Sequence, residues 1–315
     1  MTQEPLLPFL PDESLFSLVS RHHRLWGDGA SQDTTRACFG HDHCGSQHDF
    51  PTSLGHLAGG RLKVLGVARD VARERTLLRF YLPFLSVIEI ATVVESMLRT
   101  GRGRSGFVIV RSPDAAHYPL KACLDCMRYS VKEHGWVYWK LTHQFPGCWI
   151  CPVHCAPLYV CRIKWNGVRR NEWVLPSRDG LAGDWADSMK RVSFEQLSRL
   201  GELIRRLVCP SLEIGWVSAA AARLAIRARL NEHGWVTAAG SVRLKEAARS
   251  FIETLMQIRV APDASKIPID VFGVALRLGR MVEDSRERIH PIRYLIAVHW
   301  LFSDADDFIR SLRSS

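Results

Sequence analysis

In DESLFSLVSRHHRLW (12–26), apolar Leu15, Leu18, Val19 and Leu25 recur at helical spacing. Asp12 or Ser14 stands where a side-chain oxygen accepts free first-turn amides, and Gly27-Asp28-Gly29 follows as a stop. A helix over 12–26 is therefore expected. A polar, histidine-rich loop (40–49) comes next, then a short helix near 53–58 and a longer one over 62–74. Pro83 interrupts TLLRFYLPFLSVIEIATVVESMLRT, so a helix is expected to restart over 84–98. GRGRSG (101–106) reads as a loop and lacks the Lys-Ser/Thr ending of a phosphate-binding loop. The run Trp136–Trp139 is aromatic and β-branched, which suits a small hairpin.

Residues 163–187 carry Gly, Pro, Asn and Asp without periodicity, and helical spacing returns from 193. Ser193 and Ser218 are expected N-caps, the second opening SAAAARLAIRARL. Ser241 is expected to open SVRLKEAARSFIETLM, with Leu244, Ala248, Phe251 and Leu255 on one face. A last helix is expected over 292–302. The pattern predicts a mainly α-helical, multi-domain chain: a helical region (1–119), a small embedded segment whose Cys-x2-Cys and Cys-x2-His spacings read as a zinc ribbon (120–162), an irregular linker (163–192), and a helical, helix-turn-helix-like region (193–315).

Composition narrows the class. The 315 residues are 47% hydrophobic and 23% charged, the balance of a packed globular protein. No apolar run approaches the ~18 residues of a membrane span, and the first residues lack a basic n-region. A cytoplasmic, nucleoid-associated protein with reduced cysteines is the expectation. The net charge is +10, and residues 161–315 carry 25 basic against 18 acidic side chains. That bias fits a polyanion partner or an ordinary solvated surface.

The strongest chemical signal is CLDCMRYSVKEHGWVYWKLTHQFPGCWICPVHC (123–155). Cys123-x2-Cys126 and Cys151-x2-His154 are paired knuckles, and thiolate with imidazole is the donor set Zn2+ takes in tetrahedral geometry. Four ligands leave no open coordination position, so one structural ion is expected and no chemistry at the metal. A redox Cys-x-x-Cys would open a helix after a strand, and a loop is expected here instead. Cys148 and Cys155 flank the second knuckle, His143 is a competing ligand, and Cys161 and Cys209 read as core thiols. Cys38, His41, His43, Cys44 and His48 form a second candidate cluster, without paired-knuckle spacing.

Six stretches in order are similar to the TniQ/TnsD family of transposon target-selection proteins: PDESLFSLVSRHHRLWG (11–27), ACFG (37–40), DFPTSLGHLA (49–58), RTLLRFYLPFL (75–85), the zinc segment with its HQFPG (120–161), and HPIRYLIAVHWLFSDADDF (290–308). The resemblance implies a non-enzymatic adaptor. Such a protein marks an insertion site, by binding DNA or by joining a CRISPR RNA-guided complex, and recruits the AAA+ ATPase that controls the transposase. It also implies Cys123, Cys126, Cys151 and His154 as zinc ligands and the N-terminal region as the ATPase platform. Many relatives carry a further Cys-x2-Cys; here Cys161 is followed by Lys164, so a second ion is not expected there. A homodimer is among the expected assemblies.

The basic residues Arg169, Arg170, Arg223, Arg227, Arg229, Arg243, Lys245 and Arg249 are the candidate DNA contacts. Leu224 and Leu230 are expected to face inward while Arg223 and Arg227 face out, and GWVTAAG (234–240) is read as the turn between two helices. Two other classes compete: a stand-alone zinc-containing transcription regulator, and a Mg-dependent DNA-cleaving enzyme, for which Asp304, Asp306 and Asp307 are the clustered acids.

Overall fold

Ser14 opens the first helix, as its position predicts: its Oγ accepts the Ser17 amide at 3.2 Å, and α1 runs Leu15–Trp26. Leu15, Phe16, Leu18 and Val19 are buried, but Leu25 in the last turn is 46% exposed, so the apolar face is narrower than the sequence suggests. The computed structural model describes residues 7–27, 29–41, 49–60, 66–99, 119–162, 172–208, 216–283 and 289–314. GRGRSG, Cys209, Arg169 and Arg170 lie outside them. After α1 come α2 (Ser31–Phe39), α3 (Leu54–Gly60), α4 (Ala68–Glu74), α5 (Leu78–Tyr81) and α6 (Val87–Leu98). Pro83 sits in a 3-10 turn, and α6 restarts at Val87 because Ser86 and Glu89 form a reciprocal capping box.

The middle of the chain differs from its expected hairpin. Three short strands, β1 (Lys121–Ala122), β2 (Tyr159–Cys161) and β3 (Leu181–Ala182), form an antiparallel sheet in that order. Between β1 and β2 lie α7 (Leu124–His134) and the single turn α8 (Leu141–Gln144). Trp136–Trp139 is not a strand: Gly135, at φ 71°, ends α7, and Tyr138 and Trp139 enter the core as anchors. The segment pairs instead with the start of the chain. Ser14 N–H donates to Trp139 O, Leu141 N–H to Asp12 O, and Trp139 N–H to Ser17 Oγ. Thr142 donates its hydroxyl to Asp12.

The described C-terminal elements are helices: α9 (Arg191–Leu207), α10 (Ala219–Glu232), α11 (Leu244–Ile258), α12 (Val271–Val282), α13 (Pro291–Leu301) and α14 (Ala305–Ser314). Ser218 caps α10 through the Ala221 amide. Ser193 is not a cap; it lies inside α9 and donates to Gln257 Oε1. Nor does Ser241 cap α11, which begins at Leu244, although Ala248, Phe251 and Leu255 are buried on its inner face. The link from α10 to α11 spans 233–243 and holds an antiparallel bridge, Val236 to Val242, so it is longer than a tight turn. α11 packs along α12 and α9, while α10 lies against α13, α12 and α14. Buried side chains from Leu15 to Phe308 join in one contiguous core. None of the described helices is long and apolar enough to cross a membrane.

Candidate metal centre

Cys123 follows β1 and stands at the N-cap of α7, which places Cys126 in the first turn. This strand-to-helix setting replaces the expected loop. The partner knuckle is a tight hairpin in which Cys151 N–H donates to Ala156 O at 2.7 Å and Leu158 N–H to Trp149 O at 2.9 Å. Cys155 takes φ 45° at its tip, turning the chain so that Cys151 and His154 face α7. All four donor atoms lie within 4.8 Å of one another.

The separations identify the geometry. A tetrahedral ion with sulfur at about 2.3 Å and nitrogen at about 2.0–2.1 Å holds its donors about 3.8 Å apart for S···S and about 3.6 Å for S···N. Here Cys126 Sγ to Cys151 Sγ is 3.6 Å. His154 Nδ1 lies 3.6 Å from Cys123 Sγ, 3.3 Å from Cys126 Sγ and 3.7 Å from Cys151 Sγ. The group can hold one metal ion, with all four vertices supplied by the chain. The thiols are also electrostatically crowded. Hydrogen bonding to Cys123, then to Cys151, pushes the Cys126 thiol up, while the same contacts from Cys123 and Cys126 hold Cys151 down. Three buried sulfurs cannot all ionise together without a cation, and a bound cation removes that conflict.

His143 is buried with Nε2 4.0 Å from Cys126 Sγ, beside a ligand and outside the four-donor group. Cys148 is buried near Gly201 O, and burial pushes its thiol up to about 11. Cys155 is exposed and Cys161 is buried in β2. In the second candidate cluster, Cys38 is buried in the core while His41 is exposed; His43, Cys44 and His48 lie outside the described residues.

A buried polar frame, which sequence reasoning missed, fixes the centre to the rest of the fold. Gln144 of HQFPG accepts from Lys121 N–H at 2.8 Å and donates to Lys121 O and Lys140 O, which holds β1 in place. Lys121 is fully buried; its Nζ donates to Phe145 O at 3.0 Å and Cys148 O at 2.6 Å and lies 4.5 Å from the Trp149 ring centre. Burial lowers its pKa, and the Asp263 carboxylate opposes that shift. Asp263 accepts Gly147 N–H and Trp149 Nε1–H. Only Gln144 had a signal, in its motif; the partners of Lys121 and Asp263 are remote in sequence.

The candidate DNA contacts separate into two groups. Arg223 donates to Glu283 O and Arg227 to Gly240 O. Arg229 is committed to the fold: it bonds Glu232 and Asp307, lies over the Phe302 ring, and its side chain is only 23% exposed. Leu230 is buried as expected, but Leu224 is exposed. Arg243, Lys245 and Arg249 are exposed. The acids Asp304, Asp306 and Asp307 serve the start of α14 and its neighbours: Asp304 accepts the Asp307 amide, Asp307 the Ser303 amide, and Asp306 pairs with Arg206.

No known protein-family model matches this sequence, and no curated protein is a significant match to it.

Proposed function

We propose that this chain is a non-catalytic target-selection adaptor for DNA transposition, holding one structural Zn2+ at Cys123, Cys126, Cys151 and His154. The observation that carries the reading is how five of the six stretches similar to the TniQ/TnsD family meet one another. Asp12 and Ser14 of the opening stretch bond the zinc segment at Trp139, Leu141 and Thr142. Tyr81 of the fourth stretch bonds His290 of the last at 2.8 Å. Phe50 packs on Tyr81, and Phe80 on Phe145 of HQFPG. Residues that recur for a shared scaffold have reason to converge in this way.

The closed donor set supports scaffolding over chemistry at the metal, and the structural roles of Asp304, Asp306 and Asp307 weigh against a Mg-dependent nuclease. On this reading Arg243, Lys245 and Arg249, with the helix pair α10–α11, supply the DNA-facing side as a helix-turn-helix-like unit. The N-terminal helices supply the platform for an AAA+ ATPase. A CRISPR RNA-guided complex is the other route to the target within the same role.

The test is a reconstitution. The purified chain is assayed for salt-sensitive duplex binding and for co-elution with an AAA+ ATPase of the transposase-controlling class. Binding of both partners is expected. Metal-dependent DNA cleavage abolished by Asp304→Asn or Asp307→Asn overturns the reading.

A further inference from the structure

Four rings lead from the core to solvent at the α10–α11 link. Phe251 is buried. Trp300 lies on it with centroids 4.6 Å apart and planes at 19°; Trp235 lies on Trp300 at 5.3 Å and 18°; His233 lies on Trp235 at 4.9 Å and 20°. The near-parallel order ends at an exposed ring, and the imidazole of His233 makes no hydrogen bond among the described residues.

The chain holds these rings deliberately in register. Gly234 takes φ 73°, and the amides of His233, Gly234 and Trp235 return to Arg229 O, Asn231 O and Leu230 O. This left-handed helix ending fixes the direction of Trp235. The Val236–Val242 bridge follows, and Arg243 N–H closes the loop on Trp235 O at 2.7 Å. The same segment is basic. Arg227 reaches across to Gly240 O, and Arg243, Lys245 and Arg249 stand exposed at the beginning of α11. Of the nearby acids, Glu232 is paired with Arg229, and Glu246 is exposed. Trp300 covers Phe251 and Trp235 covers Trp300; neither contact requires a further parallel ring at the surface.

We propose that His233 is the outer step of a stacking platform for an unpaired nucleobase, with Arg243, Lys245 and Arg249 holding the flanking phosphates. A surface ring continued inward by parallel aromatics presents a rigid π-face, and basic side chains beside it track a backbone, the combination that binds unstacked strands. This rests on the DNA-binding reading above and specifies the form of DNA: a strand with at least one base out of its stack, as at a bulge, a distorted step or a single strand.

The test uses the full chain and three labelled DNAs: an intact duplex, the same duplex with a one-nucleotide bulge, and a thymidine single strand. Wild type is expected to favour the bulged and single-stranded forms, and to quench 2-aminopurine placed at the bulge. His233→Ala is expected to weaken those two forms about tenfold and leave the intact duplex unchanged. His233→Phe is expected to restore both affinity and quenching, with thermal melting equal in all three proteins. An alanine variant that binds as wild type does, or loses equally on every DNA, overturns the platform while DNA binding stands. A wild-type chain that binds none of the three overturns both.

Discussion

Glu13 and Arg21 form a fully buried, two-point ion pair: Arg21 Nε donates to Oε1 at 2.8 Å and Nη2 to Oε2 at 2.6 Å, with side chains 0% and 3% exposed. The carboxylate also accepts Leu10 N–H and Ser17 Oγ–H, and that serine accepts Trp139 N–H. One buried pair therefore ties the entry to α1, the body of α1 and the approach to the metal hairpin. Breaking such a pair leaves a charge without its partner in a dry site. Glu13→Ala and Arg21→Ala are each expected to lose about 3–5 kcal/mol in urea unfolding. The double variant is expected to lose clearly less than their sum. Additive losses would show that the two side chains act independently.

Metal removal has a separate signature. The three cysteines of the donor group form their own small buried cluster with Leu158, outside the main core, and His154 closes it from a half-buried position. The knuckle hairpin has little apolar area of its own, so an ion held by the group would contribute directly to its folding. A chelator is expected to lower the thermal midpoint and release one equivalent of zinc. Cys151→Ser is expected to melt like the chelated wild type and to ignore the chelator. A wild-type protein that contains no zinc and melts identically with and without chelator contradicts the assignment.

Gly147 and Gly135 make a matched comparison. Both have left-handed φ, 78° and 71°, but a Cβ at Gly147 would lie 2.7 Å from Ile292 Cδ1 and 2.8 Å from Ile204 Cδ1, whereas none of the neighbouring atoms comes within 4 Å at Gly135. Gly135→Ala carries only the backbone term, about 1 kcal/mol. Gly147→Ala adds overpacking between the metal segment and helices α9 and α13, for about 2–4 kcal/mol in all. Equal losses at the two positions would mean that the contact with Ile292 and Ile204 relaxes freely.

What the sequence made legible follows from the range of each interaction. The four-donor group could be found because each knuckle is set by three-residue spacing, and two knuckles bring four donors within reach of one another. Ser14 and Ser218 could be found because a cap bonds an amide three residues away. Ser193 and Ser241 show the limit: the same residue type beside a helical run also serves as a buried hydrogen-bond donor or as part of a loop. The strands are two or three residues long and pair across wide separations, as with Lys121 and Val160, so local alternation carries no trace of them. Trp136–Trp139 misleads because aromatic, β-branched runs suit core anchors as well as strands. Arg229 reads as a surface cation until α14 brings Asp307 beside it from 78 residues away.

His299 gives a prediction with a definite sign. It lies buried in α13, with Nε2–H donating to Gln196 Oε1 at 2.8 Å. Burial, with a smaller push from the Arg199 charge, lowers its pKa from 6.5 to about 4. Between those values the unfolded chain takes up a proton that the folded chain refuses, so the contribution is intact above about 6.5 and is lost as pH falls toward 4. The full loss is about 3 kcal/mol, at most about 1.4 kcal/mol per pH unit. His299→Leu removes the titration and leaves Gln196 without this partner, which adds an offset that does not vary with pH. The decisive quantity is therefore the wild-type stability minus that of His299→Leu, measured by urea unfolding from pH 4 to 8. Carboxylates common to both proteins cancel in that difference. It is expected to be flat above pH 7 and to fall through the acid range; a difference that stays flat down to pH 4 would mean that His299 titrates alike in the folded and unfolded chains.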